Sequence, residues 1–227
     1  MSNIPTIRQS DSQPTLPVTH HDDNPGFIVG VIGGIASGKS EVSKLLEEKG
    51  ATVFPADAVG HRLLGRPDIR KKIIDLFGVG CLDENGVIDR KHLAKVFFSG
   101  PSDKLTQLET ILHPVIRQQA VEAIEAFRKD RSKSMLILDV PLLIEAGWES
   151  LCDKVIFVDA PLEIRIANAK RRGWSDEELF AREKTQLPLD KKKESATDVI
   201  QNVGSIEDLR NNLLKLPWLS KLPTSAK

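Results

Sequence analysis

The chain has 227 residues, 40% of them hydrophobic and 28% charged, and 32 lysines and arginines balance 32 acids to a formal net charge of zero. This is the composition of a soluble globular protein, with room for one α/β domain carrying insertions or for two small domains. The charge balance excludes a bulk attraction to nucleic acid or to a membrane surface, and no apolar stretch approaches the roughly 20 residues needed to span a bilayer.

Residues 1–25 are rich in Ser, Thr, Asp, Asn, Gln and Pro. So little apolar surface cannot offset the entropy of ordering, which predicts a disordered leader. It shows no basic start followed by an apolar run, as a secretory signal would, and Cys81 and Cys152 match no metal-ligand spacing. Reduced thiols and a cytoplasmic location are therefore expected.

The character then changes. Phe27–Ile32 (FIVGVI) is a nearly continuous apolar run, the mark of a strand buried on both faces of a parallel sheet. From Gly38 the pattern is helical, with Val42, Leu45 and Leu46 at helical spacing and Gly50 as a candidate for the residue just past the helix end. A second strand is predicted at Ala51–Phe54. The β-loop-α-β order opens an α/β fold. From Asp57 to about Lys133 the pattern is mostly helical, broken at Gly78, Gly80, Asn85-Gly86 and Gly100-Pro101. Met135–Val140 and Lys154–Asp159 read as buried strands, 161–184 as charge-dense helix interrupted at Gly173, Asp198–Gln201 as a last strand and Ile206–Leu216 as a closing helix.

Gly33-Gly34-Ile35-Ala36-Ser37-Gly38-Lys39-Ser40 fits G-x-x-x-x-G-K-[ST], and it lies between a strand and a helix, the context the motif requires. Glycines let successive backbone N–H groups turn inward around phosphate oxygens, and the helix start adds its positive dipole end. Lys39 can reach the β- and γ-phosphates and the Ser40 hydroxyl can ligate Mg²⁺. Residues 34–41 are thus the candidate ATP site: Gly34, Ile35, Ala36, Ser37, Gly38, Lys39, Ser40 and Glu41. Glu41 suits the helix dipole but stands where phosphate charge arrives. A GTPase would carry an Asn-Lys-x-Asp base-reading motif, and none is present.

Asp57, in Pro55-Ala56-Asp57-Ala58, stands just past the second strand, on the rim that carries the phosphate loop. It can act as a base toward an attacking hydroxyl or cap the helix that follows. Asp139, at the end of the third strand, has the position of an acid near the metal of phosphate-loop enzymes, or of a residue holding the next turn.

Several segments in order carry a resemblance: IGGIASGKSEV; ADAVGHRL; FGVGCLDENGVIDRKHLAKVFF; LHPVI; VPLLIEAG; and QLPLDKKKESATDVIQN, together spanning about residues 27–210. The chain resembles the dephospho-CoA kinase family, whose members transfer the γ-phosphoryl of ATP to the 3′-hydroxyl of the dephospho-CoA ribose. The resemblance implies a three-layer α/β phosphate-loop fold on a parallel five-stranded sheet. The nucleotide-binding core would comprise 26–56, 134–160 and 197–217, with a helical acceptor-binding insertion over 57–133, a lid over 161–190 and a tail over 218–227.

The resemblance also assigns roles: Asp57 as base and Lys39 as its catalytic partner, Mg²⁺ on Ser40, and His113, Leu142 and Glu145 on the acceptor side. Arg165, Lys170, Arg171, Arg172 and Arg182 match the lid, where arginines close on phosphate, with Arg171, Arg172 and Arg182 the chosen candidates. Three departures stand out. Pro55 replaces the first acid of the family's Asp-Ala-Asp, Glu41 stands where Thr is usual, and the Arg-x-x-x-Arg pair of the lid is broken, because Ala167 and Asn168 precede Arg171 and Arg172. ATP and dephospho-CoA are the expected substrates. A kinase for another small metabolite and a nucleotide-binding regulator without chemistry are the rival readings.

Overall fold

The computed structural model describes residues 26–89 and 102–221. The expected leader, the whole stretch from Arg90 through the break at Gly100-Pro101, and the end of the tail lie outside the described residues.

Five parallel strands form one sheet in the order β2-β3-β1-β4-β5: β1 Phe27–Gly33, β2 Thr52–Pro55, β3 Met135–Asp139, β4 Lys154–Asp159 and β5 Asp198–Gln201. The helices are α1 Lys39–Glu47, α2 Ala56–Leu63, α3 Pro67–Phe77, α4 Ser102–Lys129, α5 Leu162–Arg171, α6 Asp176–Glu183, α7 Leu189–Glu194 and α8 Ile206–Leu214.

The central strands β3, β1 and β4 are mostly buried apolar runs because both faces are covered, whereas the edge strands β2 and β5 each bury a single residue. Alternation along β1 sends Val29 and Val31 to one face and Ile28 and Ile32 to the other. The first face packs on Val42, Leu45 and Leu46 of α1 and on Leu209 and Leu213 of α8. The second packs on Ala56, Val59 and Leu63 of α2, Ala120 and Phe127 of α4, and the segment around Leu143. These are the three layers expected. Gly30 is needed in β1 because a Cβ there would lie 2.8 Å from Leu143 Cδ1. A satellite cluster of Ile69, Ile73, Cys81, Ile88 and Leu108 holds α3 to the first half of α4.

At the opposite edge of the sheet Arg128 ties α4 to the strand starts. Its Nη2 donates to both Asp153 oxygens at 2.6 Å and its Nη1 to Gly26 O at 3.0 Å, while Asp153 also accepts the Ile28 N–H.

Two sequence expectations need correction here. The packed unit does not stop at 217: Trp218 and Leu219 are buried against the α1/α8 face, and the Trp218 indole donates to Asp198 at 3.1 Å and meets Phe27 edge-on at 5.3 Å. The run after Gln186 holds α7, whose short lysine-rich sequence has no apolar period to reveal it. Elsewhere β2 is shifted by one residue to Thr52–Pro55, and Gly50 takes φ 91° two residues past the α1 cap.

Both cysteines are free, Cys81 buried and Cys152 half-buried. Desolvation first, then the charges of Asp153 and Glu149, push the Cys152 thiol up to about 12, and burial likewise raises Cys81. Thiolate is the reactive form. Neither thiol is expected to react with a thiol-disulfide reagent at pH 8 in the folded protein, and both should react on addition of denaturant; rapid labelling of the native chain would contradict this.

Candidate active site

Parallel pairing brings every strand's C-terminal end to one rim, where Pro55 registers with Asp139 and Gly33 with Val158. A turn at that rim joins β1 to α1, and this turn is the predicted phosphate loop. Its backbone is unusual. Gly33 has φ 148°, Gly38 has φ 97°, and Ala36 lies at φ 58°, a left-handed conformation that side chains seldom adopt. Gly38 is also pressed by its neighbour: a Cβ there would lie 2.4 Å from Asn202 Nδ2.

The loop's carbonyls are held from outside. Asn168 of α5 donates its side-chain amide to Ala36 O at 2.7 Å, and Asn202, just past β5, donates to Ser37 O at 2.8 Å. Lys39 Nζ folds back over the loop to Gly34 O at 2.8 Å and Gly33 O at 3.2 Å. Within the loop Ser37 N–H donates to Gly34 O at 3.2 Å, and the start of α1 adds the positive end of a helix, a setting suited to an anion. Ile35 and Ala36 anchor the loop to Ala169 and Leu179 in α5 and α6. Ser37 Oγ is buried and makes no hydrogen bond.

Desolvation is the main cause that lowers the Lys39 ammonium from 10.5 to about 8. The nearby cations Lys192 and Arg172 lower it further, against Asp139 and Glu145. A site with crowded cations and a buried ammonium lacks negative charge, which a triphosphate would supply. Glu41 is no obstacle to this, because its side chain is exposed and pairs with Lys44 at 3.3 Å.

Asp57 does not cap α2. The cap residue is Pro55, with no side-chain cap bond, and Asp57 lies exposed in the first turn. Asp139 is close by, since desolvation and next the charge of Asp57 raise its carboxyl above the ordinary value, opposed by Lys39. Two carboxylates and Lys39 therefore share one end of the cleft. Among the described residues no group of three or more His, Cys, Asp or Glu side chains could hold a metal by itself. One hydroxyl and one or two carboxylates fit Mg²⁺, which keeps most of its water and binds largely through substrate phosphates.

The remaining predicted residues are dispersed. His113 is exposed on α4, one turn before Ile116, which meets Gly60 of α2; a Cβ on that glycine would be 3.4 Å from Ile116 Cδ1. Leu142 is half-buried. Glu145 is occupied: its carboxylate accepts the Leu187 N–H at 3.0 Å and pairs with the buried Lys192 at 2.9 Å, while Lys192 also donates to Gln186 at 2.7 Å. In this state the carboxylate holds α7 to the wall of the cleft.

Of the lid arginines, Arg171 is exposed and bonds Asn168, and Arg172 and Arg182 lie over the Trp174 ring at 5.8 and 4.4 Å. Sequence reasoning missed Asn168, Asn202 and Lys192. Asn202 could have been found, as a polar residue at a strand end on the loop's rim. Nothing local separates Lys192 from the lysines on either side of it.

The model of the dephospho-CoA kinase family matches residues 27–208. The chain belongs to the dephospho-CoA kinase family. A dephospho-CoA kinase of Carboxydothermus hydrogenoformans is 39% identical over 192 residues, which cover 83% of this chain and 92% of that protein. Among solved structures, TT1252 from Thermus thermophilus aligns with a TM-score of 0.72 at 36% identity, covering 87% of this chain and 98% of the other. The dephospho-CoA kinase of Campylobacter jejuni aligns with a TM-score of 0.63 at 28% identity, over 83% and 94% respectively.

The loop geometry of this dephospho-CoA kinase family member gives a direct test. Gly38→Ala forces a side chain into a left-handed residue and against Asn202, at a cost of about 1–3 kcal/mol. ATP affinity measured by calorimetry should fall at least about tenfold. Asn202→Ala, which leaves φ untouched, should cost less.

Proposed function

We propose that this chain transfers the γ-phosphoryl group of ATP to the 3′-hydroxyl of the dephospho-CoA ribose, yielding coenzyme A and ADP. Family membership over residues 27–208 carries the choice of substrates. The observation that supports the chemistry is Asp139 at the strand rim in register with Pro55, where the charges of Asp57 and Lys39 both act on its carboxyl.

Lys39 and the loop N–H groups left without an internal partner hold the phosphates; Ser37 N–H is engaged by Gly34 O. Ser40, with Asp139 across the rim, would hold Mg²⁺, which supplies charge neutralisation at the phosphate oxygens. Asp57 orients the ribose hydroxyl and accepts its proton. The hydroxyl oxygen bonds to the γ-phosphorus as the bond to the ADP oxygen breaks. Asp57 is the choice on access, since its side chain is exposed at the first turn of α2. Asp139 is poised next to the ammonium. Positioning and charge stabilisation account for most of the catalysis, because the reaction leaves the protein little covalent work.

The helical insertion of α2, α3 and the first half of α4 forms the acceptor side, with His113 and Leu142 facing the nucleotide portion of dephospho-CoA. Glu145 serves that side through its hold on α7. Helices α5 and α6 form the lid, with Arg171, Arg172 and Arg182 supplying positive charge. Among the described residues no helix is long and apolar enough to cross a membrane, and cytoplasmic action suits substrates made and used there.

Lys39→Ala is expected to abolish turnover. Asp57→Asn should lower kcat by about 10²–10⁴, the usual share of a general base, and leave ATP affinity within a few-fold. A coupled assay of ADP release, with dephospho-CoA set against nucleosides and nucleoside monophosphates, measures both. Normal turnover by Asp57→Asn would remove the base assignment, and ADP release with another acceptor would replace the substrate.

A further inference from the structure

Arg165 in α5 is one of the few buried charged side chains, 6% exposed, and it lies directly on the phosphate loop. A Cβ built on Gly34 would be 3.1 Å from Arg165 Cδ and 3.2 Å from its Nη1, so the guanidinium covers the second glycine of the motif. Its Nη1 is paired with Glu183 of α6, whereas its Nε is buried and makes no hydrogen bond. A guanidinium has five donors in a planar fork, and leaving a buried one unpaired costs free energy. The other arginines of this region are placed differently. Arg171 is exposed on Asn168, and Arg172 and Arg182 lie over Trp174. Neither Ala167 nor Asn168, four residues before Arg171 and Arg172, supplies the first arginine of a lid pair.

We infer that Arg165 is a phosphate-binding residue of this chain and that Glu183 is its internal competitor, occupying the guanidinium until the phosphates of ATP take it over. The inference rests on the kinase reading above. It uses an unsatisfied buried donor, its contact with Gly34 and a carboxylate whose removal should favour the anion. The phosphate supplies acceptor oxygens for the fork, and the bond to Glu183 is exchanged for one to the ligand. Because Glu183 ends α6, the exchange also frees the joint between α5 and α6, the helices that pack on Ile35 and Ala36.

The two partners should respond in opposite directions. Arg165→Met is expected to weaken ATP binding at least about tenfold and to lower kcat by about 10², the scale of losing one donor to transition-state charge. Glu183→Gln, which leaves the guanidinium in place and removes the competing charge, is expected to tighten ATP binding several-fold. A merely structural ion pair would predict equal losses from both variants, and that result, or no change in either, would overturn the inference. ATP affinity is read by calorimetry on the full chain, with thermal unfolding as a check on folding. If Arg165→Met does not fold, Glu183→Gln decides alone, since unchanged or weaker binding sinks the idea. Wild-type turnover of dephospho-CoA in the same series separates this from failure of the kinase reading: an inactive wild type rejects the reaction, whereas an active wild type with matched losses rejects only the role of Arg165.

Discussion

A phosphate-binding loop works only if its backbone N–H groups are left without internal partners while its carbonyls are satisfied elsewhere. The rest of this site is arranged around that constraint. Two left-handed residues, Ala36 and Gly38, turn the chain, and Gly33 adds a third conformation favouring glycine. The carbonyls they expose are then taken up from three directions: by Asn168 from α5, by Asn202 beyond β5, and by the Lys39 side chain of the loop's own helix. The strain of the turn is thus supported by tertiary hydrogen bonds.

Charge follows the same logic. Lys39 is drawn below its ordinary value by desolvation and then by Lys192 and Arg172, so bringing in phosphate relieves repulsion among groups the fold has already brought together. Lys192 carries part of this crowding, but its own charge is balanced by Glu145. That pair also fixes α7, whose Leu189 reaches Gly34 and packs with Leu143 and Ile144; a Cβ on Gly34 would lie 3.3 Å from its Cδ2. One buried ion pair therefore joins the acceptor wall to the floor of the nucleotide site. Buried pairs contribute more to arrangement than to net stability, which suits this use.

On the acceptor side, like charge is tolerated because it is shared with an ammonium. Asp57 and Asp139 come from adjacent parallel strand ends, and Lys39 moderates their mutual repulsion. Loss of the family's first acid at Pro55 leaves β2 with a residue that has no N–H to donate and makes Pro55 the cap of α2. The position of Asp57 then depends on the start of that helix, which no side chain caps.

By itself the sequence determined the strands and the loop, because these are local. A strand buried on both faces is a short apolar run, and β4 occupies the predicted residues; the edge strand β5 does too, with only Ile200 buried. The phosphate motif requires a fixed spacing that admits few other structures. The order of the family segments likewise determined the acceptor class. Tertiary structure alone decided which polar groups meet. Asn168 and Asn202 come from different elements, α5 and the end of β5, and nothing local says that each gives its amide to a loop carbonyl. Among several arginines in α5 and α6, only packing buries Arg165 on Gly34. Glu145 is an acid in a family segment, and only the fold shows it holding Lys192. Periodicity records which face of an element is apolar, whereas hydrogen-bond partners depend on where distant elements come to rest.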